Sequence, residues 1–303
     1  MTALSAPRPD LTANLICLAS MVVWSAGLPA AELILPHMPP LMLTAFRAGL
    51  AAAVLVPCWL ALEGVAVVRG APWGRGIVVG GICIGMASAF LVVAQAETDA
   101  VTVAVVSAAM PVVGIALECA LDKRPVTLAL IVGLMLSLAG GVLAYGAAVG
   151  QLRFGIGAAA ALASVACYTW GSRATVISFP GLTPLGRTAI TVAGAAVAAA
   201  VASALQQAGG GAPANWAAIG PREIGGLLMF SVGSLALSQI LWIIAVGRLG
   251  IGASSLHMNA VPFYVMSIVF LLGGSWNGMQ AMGAVVVVLG VAVAQGLVPL
   301  ARR

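Results

Sequence analysis

Apolar residues run along this chain in long unbroken blocks rather than in alternation. Ten stretches stand out: 11–31, 41–62, 76–96, 100–121, 127–147, 154–173, 183–205, 224–246, 251–272 and 279–299. A helix rising 1.5 Å per residue needs about 20 residues to cross roughly 30 Å of hydrocarbon. Strands of a membrane barrel would instead alternate apolar and polar over about ten residues. These blocks are about twice that length and apolar on every side, so the pattern predicts an all-α polytopic membrane protein with ten transmembrane helices.

Composition sharpens this. Of the 303 residues, 62% are hydrophobic and 7% charged, with a further 37 glycines, against about 25% charged in soluble domains. A cytosolic enzyme, a nucleic-acid binder and a disordered chain are excluded, and the length leaves no room for a separate soluble domain. The net charge of +5 comes from 13 scattered Lys and Arg residues, which report orientation instead. With a cytoplasmic N-terminus, Arg8, Arg69, Arg75, Lys123, Arg124, Arg173, Arg248, Arg302 and Arg303 lie inside, whereas Arg153 and Arg222 lie outside. The positive-inside rule therefore predicts that both termini are cytoplasmic, and the membrane is taken to be a bacterial inner membrane. The first stretch is too long for a signal-peptide core and is read as a retained helix. Cys17, Cys58, Cys83, Cys119 and Cys167 all fall within spans, far apart, and suggest neither a disulfide framework nor a metal site. No cofactor, metal or nucleic-acid partner is expected. The partners are the lipid bilayer and a small-molecule substrate, and the chain is taken as a monomer.

The sequence repeats itself. "LTAFRAGLAAAVL" (43–55) resembles "LGRTAITVAGAAV" (185–197), and Arg47 maps onto Arg187. Further along, Pro111 maps onto Pro262, Gly133 onto Gly283 and Gly140 onto Gly290. This divides the chain into units 1–150 and 151–303 of five spans each. Five is odd, so the second unit enters the membrane from the other side: an inverted repeat, the plan of many secondary transporters. Pro111 and Pro262 each lie about 16 Å into a span, near the midplane. Each removes a helix hydrogen bond and frees a carbonyl four residues earlier, at Ser107 and Met258. Backbone opened at that depth is tolerated where it lines a cavity.

These features resemble the EamA family of the drug/metabolite transporter superfamily. The residues carrying the resemblance are the Trp24-Ser25 pair, Arg47, "AVVSAAMPVVG" (104–114), "RPVTLALIVGLMLSLAGGVL" (124–143) and its echo "GGSWNGMQAMGAVVVVLGV" (273–291). The chain departs from the family pattern at Val165, where a Trp is usual, although Tyr168 and Arg173 keep their spacing and Trp170 lies elsewhere. It departs again at Arg124 and Gly274, where an acid is usual, with Asp122 two positions from the first. The resemblance implies ten helices around a cavity lined mainly by spans 1, 3, 4, 6, 8 and 9. It also implies movement of small organic metabolites, often export. Within the superfamily the chain is similar to YddG-like exporters of aromatic and other apolar amino acids.

Polar residues in spans face protein or water, because lipid penalises them. Helical spacing groups Ser231, Ser234, Ser238 and Trp242 on one face of the eighth span. Likewise it groups Ser164 with Tyr168 in the sixth and Cys17, Ser20 and Trp24 in the first; Ser88 and Gln95 mark the third. In the ninth, Ser255, Asn259 and Pro262 share the face taken as cavity lining, opposite His257 and Tyr264. The candidate substrate site is thus Trp24, Ser20, Ser88, Ser107, Pro111, Ser164, Tyr168, Ser234, Ser238, Trp242, Asn259 and Pro262. Serines equally serve close helix packing, and Trp24, about 20 Å into its span, either stacks on substrate or packs. His257 is a candidate proton site or a hydrogen-bond donor between helices. Arg47 and Arg187 are expected to snorkel toward opposite surfaces; alternatively Arg47 forms a gate with Glu32, Glu97 or Asp99. Glu118 is expected to be neutralised by Lys123 or Arg124.

A membrane-embedded enzyme would need clustered carboxylates, a zinc-ligand set or a nucleophile with its base. Two histidines and eight scattered acids do not provide one. A channel would need filter-like loops or charged rings. Exporters of lipophilic cations or drugs and of nucleosides remain as alternative substrate classes.

Overall fold

The computed structural model describes residues 10–98, 100–107, 109–123, 125–145, 155–273 and 278–294. Arg8, Asp99, Arg124, Arg153, Gly274, Arg302 and Arg303 lie outside the described residues. No strand occurs among those described. The helices are α1 (Leu11–Glu32), α2 (Pro40–Glu63), α3 (Val65–Gly70), α4 (Trp73–Glu97), α5 (Ala100–Ser107), α6 (Met110–Leu121), α7 (Leu128–Tyr145), α8 (Ile156–Ser178), α9 (Pro184–Ala208), α10 (Pro221–Leu249), α11 (Ile251–Leu271) and α12 (Gly278–Ala294). Of these, α1, α2, α4, α9, α10 and α11 are long and apolar enough to cross a membrane. The chain is a multi-pass membrane protein.

Helix starts follow the local sequence. Asp10 caps α1 by accepting from the Ala13 N–H at 3.0 Å, and Thr183 caps α9 by accepting from Gly186 at 3.1 Å. Pro40, Pro184 and Pro221 open α2, α9 and α10 in their first turns, where the missing N–H costs nothing. Between α10 and α11, Gly250 takes a φ of 82° that side chains other than glycine's rarely adopt.

Four irregularities fall within the spans. π-helical turns occupy Gly80–Gly85 of α4 and Met229–Leu237 of α10. A 3₁₀ turn, Leu256–Ala260, interrupts α11. The fourth is a break: α5 ends at Ser107, and α6 begins at Met110 with Pro111 in its first turn. The two prolines therefore do more than free one carbonyl each. Each sits in the first turn of a fresh α-helical stretch, the place where its ring fits best.

Packing brings α1 against α10 and α8 against α4, pairs α2 with α9 and α7 with α12, and sets the start of α11 on α6. The polarity is inside out. Ser20, Ser25, Thr44, Ser88, Ser164, Thr169, Ser172, Ser231, Ser234 and Ser238 are all buried. Leu15, Ile82, Val112, Leu162, Val201 and Leu237 are exposed, on a surface whose natural solvent is lipid. Close approach is purchased with small residues: at Gly80 of α4 a Cβ would collide with the backbone carbonyl of Thr191 in α9. One face of the bundle is laced by polar contacts between helix ends. Arg248 Nε donates to Asp10 at 2.7 Å, Arg173 Nε to Asp122 at 3.0 Å and Arg75 to the Ser178 carbonyl at 3.2 Å, while Thr183 donates to Glu63 at 2.5 Å.

Gly80→Val is expected to destabilise the protein by about 1–3 kcal/mol through overpacking, read as a lower melting temperature in detergent. Gly49→Ala, where a Cβ meets nothing within 4 Å, is expected to leave that temperature unchanged or slightly raised. Equal behaviour of the two variants would contradict this packing.

Candidate functional site

A cavity opens where α1, α4, α8 and α10 converge. Its walls come from Met21 and Trp24 of α1, Arg47 of α2 and Ala87, Ser88 and Leu91 of α4. Ser107 of α5 and Met110 of α6 continue it, with Ser164, Val165 and Tyr168 of α8. Ser234, Leu235, Ser238 and Gln239 of α10 and Met258 of α11 complete it. Its volume is about 40 Å³, room for about three ordered waters. Three of its walls are methionines, unbranched thioethers that rearrange readily.

Of the expected substrate residues, Trp24, Ser88, Ser107, Ser164, Tyr168, Ser234 and Ser238 meet around this space. Several already have partners. Ser164 donates to the Ala87 carbonyl at 2.7 Å, Ser238 to the Ser234 carbonyl at 3.0 Å and Ser234 to the Trp24 carbonyl at 3.2 Å. The hydroxyls of Ser88 and Ser107 carry no such bond among the described residues.

The other five stand behind the wall. Ser20 donates to the Ser238 carbonyl at 2.8 Å, tying α1 to α10. Trp242 is fully buried, stacks on Tyr168 with ring centroids 6.0 Å apart and donates from Nε1 to Ser172 at 2.8 Å. It supports Tyr168 from behind. Ser238 and Trp242 both belong to the regular α-helical end of α10, so Trp242 keeps the face of Ser238 and lies one turn, about 5.4 Å, further along the axis. Pro111, Asn259 and Pro262 are buried but do not reach the cavity. In α11 the 3₁₀ turn advances each residue by about 120° rather than about 100°, so the face extrapolated from Ser255 through Pro262 is not the one presented. Met258 is presented instead, and Ser255 turns back to the Gly252 carbonyl at 2.8 Å.

The charged candidates are also relocated. Arg47 does not snorkel. It is 2% exposed, donates from Nε to the Phe230 carbonyl at 3.2 Å and lies 4.1 Å over the Phe230 ring. Among the described residues no carboxylate stands within ion-pair distance of it, and Glu32 and Glu97 are exposed at helix ends, so the expected gate is not formed by them. Arg187 donates to the Phe179 and Pro180 carbonyls at 2.8 and 3.3 Å. His257, 2% exposed, sits off the cavity with Nδ1 at 3.2 Å from the Ser254 carbonyl. Glu118 accepts from the Gly252 N–H at 2.8 Å, at the start of α11, a helix-terminus contact in addition to any from the basic residues expected for it.

Gln239 is the polar residue that spacing overlooked. It adjoins Ser238 in sequence and falls off the serine stripe until the π-helical turn rotates it inward. Its Oε1 accepts from the Tyr168 hydroxyl at 2.6 Å, and its Nε2 is buried without a partner. The apolar walls Met21, Leu91, Met110, Leu235 and Met258 left no signal, because such residues fill every span. None of the lining residues is acidic, and no group of three or more His, Cys, Asp or Glu suited to a metal occurs among the described residues.

Comparison with known proteins agrees with this architecture. Residues 11–146, somewhat under half of the chain, match the model of the EamA-like transporter family, to which this part of the chain is similar. No curated protein matches the sequence. The fold resembles a protein of known crystal structure at 23% identity, with a TM-score of 0.77 over 94% of this chain and 97% of that one.

The Asp122 carboxyl, hydrogen-bonded by Arg173, is held below the ordinary aspartate value of 3.8. A depressed folded-state value contributes stability that is present above the unfolded value and lost as pH falls through the folded one. The difference in melting temperature between the protein and Asp122→Asn is therefore expected at pH 7, small because the pair is exposed (at most about 1 kcal/mol). It is expected to start shrinking as the pH falls below about 4, and to be gone below the folded-state value. A difference that persists unchanged to about pH 3 would rule out this account.

Proposed function

We propose that this chain is a secondary transporter that exports apolar amino acids, aromatic ones included, by alternating access through the cavity between α1, α4, α8 and α10. The observation that carries the reading is the lining itself. It sets an indole, a phenol and flexible thioethers beside neutral hydroxyls, a surface suited to an apolar side chain on a polar stem.

The reading includes ten spans in two inverted five-helix units, 1–150 and 151–303. Several pairs of contacts support it. Ser20 of α1 donates to the Ser238 carbonyl of α10, and Ser164 of α8 donates to the Ala87 carbonyl of α4. Ala87 and Ser238 occupy corresponding positions of the two units, as do Ser20 and Ser164. The π-helical turn of α4 corresponds to that of α10, and the break before Pro111 to the 3₁₀ turn before Pro262. Where α2 packs on the π-helical turn of α10, α9 packs on that of α4. Two-fold pairing of this kind is what a rocking mechanism about a midplane site uses. The cytoplasmic placement of both termini rests on the positive-inside count, the membrane being taken as a bacterial inner membrane, and the monomer is the simplest unit containing the whole cavity.

The absence of acids from the lining favours facilitated diffusion over proton coupling and disfavours lipophilic cations as substrates. The lining likewise provides no nucleophile with a base, which sets the enzyme reading aside.

Purified protein in vesicles is expected to move phenylalanine and leucine by counterflow without an imposed pH gradient. No flux of any amino acid would sink the substrate assignment, and flux only under a proton gradient would sink the coupling assignment. Trp24→Ala is expected to raise the half-saturating phenylalanine concentration about two- to tenfold, the worth of one aromatic contact. An unchanged value would remove Trp24 from the substrate's path.

A further inference from the structure

Hydrogen-bonding capacity around the cavity is lopsided. Arg47 carries five N–H donors and no acceptor. One of them, on Nε, reaches the Phe230 carbonyl, while the terminal nitrogens make no hydrogen bond among the described residues. Gln239 spends its acceptor on the Tyr168 hydroxyl and keeps an unpartnered amide nitrogen, although the residue is 1% exposed. No lining residue is acidic. Arg47 and Gln239 thus both line a space whose described walls hold no carboxylate.

An arginine inside a membrane is costly, and it persists where something answers its charge. The Phe230 carbonyl and ring answer part of it. The planar fork that remains matches a carboxylate in bidentate geometry.

We propose that Arg47 is the anion anchor of the cavity, receiving the carboxylate of the transported molecule, with Gln239 Nε2 as a second donor to the same group. The cavity then selects small monocarboxylates and reads an amino acid from its acid end. The apolar side chain is left to Trp24 and the methionines, and the ammonium to the unpartnered hydroxyls of Ser88 and Ser107. This rests on the cavity being the transport site.

The test reads binding and flux separately. Binding of L-phenylalanine, 3-phenylpropionate, L-phenylalaninamide and phenethylamine to the detergent-solubilised protein is measured by calorimetry, and counterflow of the same compounds in vesicles. The two acids are expected to bind about ten- to hundredfold more tightly than the amide and the amine, the worth of a charge-assisted hydrogen bond. Arg47→Gln is expected to reduce that preference to within about twofold, and Arg47→Lys to restore part of it. Equal affinity for acid and amide, or an undiminished preference in Arg47→Gln, overturns the proposal. Should Arg47→Gln fail to fold, Arg47→Lys and Gln239→Leu carry the test. One loses the fork and the other the second donor, so the preference must fall severalfold in each, and an unchanged preference in either overturns the proposal. Acid-selective binding without amino-acid flux supports the anchor and overturns the transport reading alone. Acid and amide carried equally well overturns the anchor alone.

Discussion

In hydrocarbon no water is available to a serine, a glutamine or a freed carbonyl, so each must be answered by another part of the chain or by something inside a cavity. This constraint organises the bundle. Ser20 is answered by the Ser238 carbonyl, Ser164 by that of Ala87, Gln95 by that of Leu28 and Trp242 by the Ser172 hydroxyl. Each bond joins two helices distant in sequence, so satisfying a polar group and fixing a helix pair are the same event. Apolar contact contributes little specificity here, because lipid tails attract leucine as well as another helix does. The orientation of α1 on α10 and of α8 on α4 is written in these few polar contacts and in glycines that let the backbones meet.

The same constraint explains how much could be read before the fold was known. Span positions were legible because their cause, the apolar run, lies entirely in local composition. Seven of the twelve substrate-site candidates gather on the cavity, because polar residues in a membrane have few places to go. Asn259 and Pro262 were misplaced because helical spacing was carried across the 3₁₀ turn of α11, and Gln239 was missed because it was carried across the π-helical turn of α10. No residue in "MFSVGSLAL" or "LHMNA" announces a change of pitch. Such turns are bought by tertiary packing, visible where α2 crosses α10. Arg47 eluded spacing for a different reason. Snorkelling is the expectation for a lone arginine in a span, and only the carbonyl and ring of Phe230, distant in sequence, hold it inward.

Electrostatics divide the bundle by depth. Near one set of helix ends, acids and bases pair across helices, Asp10 with Arg248 and Asp122 with Arg173. The depths hold Arg47, answered in part by aromatic and backbone groups. Ion pairs at the ends sit where water and headgroups screen them. The central charge lies where screening is weakest and a single contact weighs most. Strong fields are thus kept at the centre and exchangeable ones at the mouth.

The methionine walls carry a consequence of their own. Met21, Met110 and Met258 border a space too small, as it stands, for any amino acid, yet none of the three is braced by a branched side chain of its own. A wall of this kind has no fixed size. It takes the measure of its guest by yielding to it, so the length and bulk of the guest's tail are weighed loosely. On the transport reading proposed above, this wall is a tailor rather than a lock: breadth of cargo follows from the softness of three side chains, without any change in the frame that holds them.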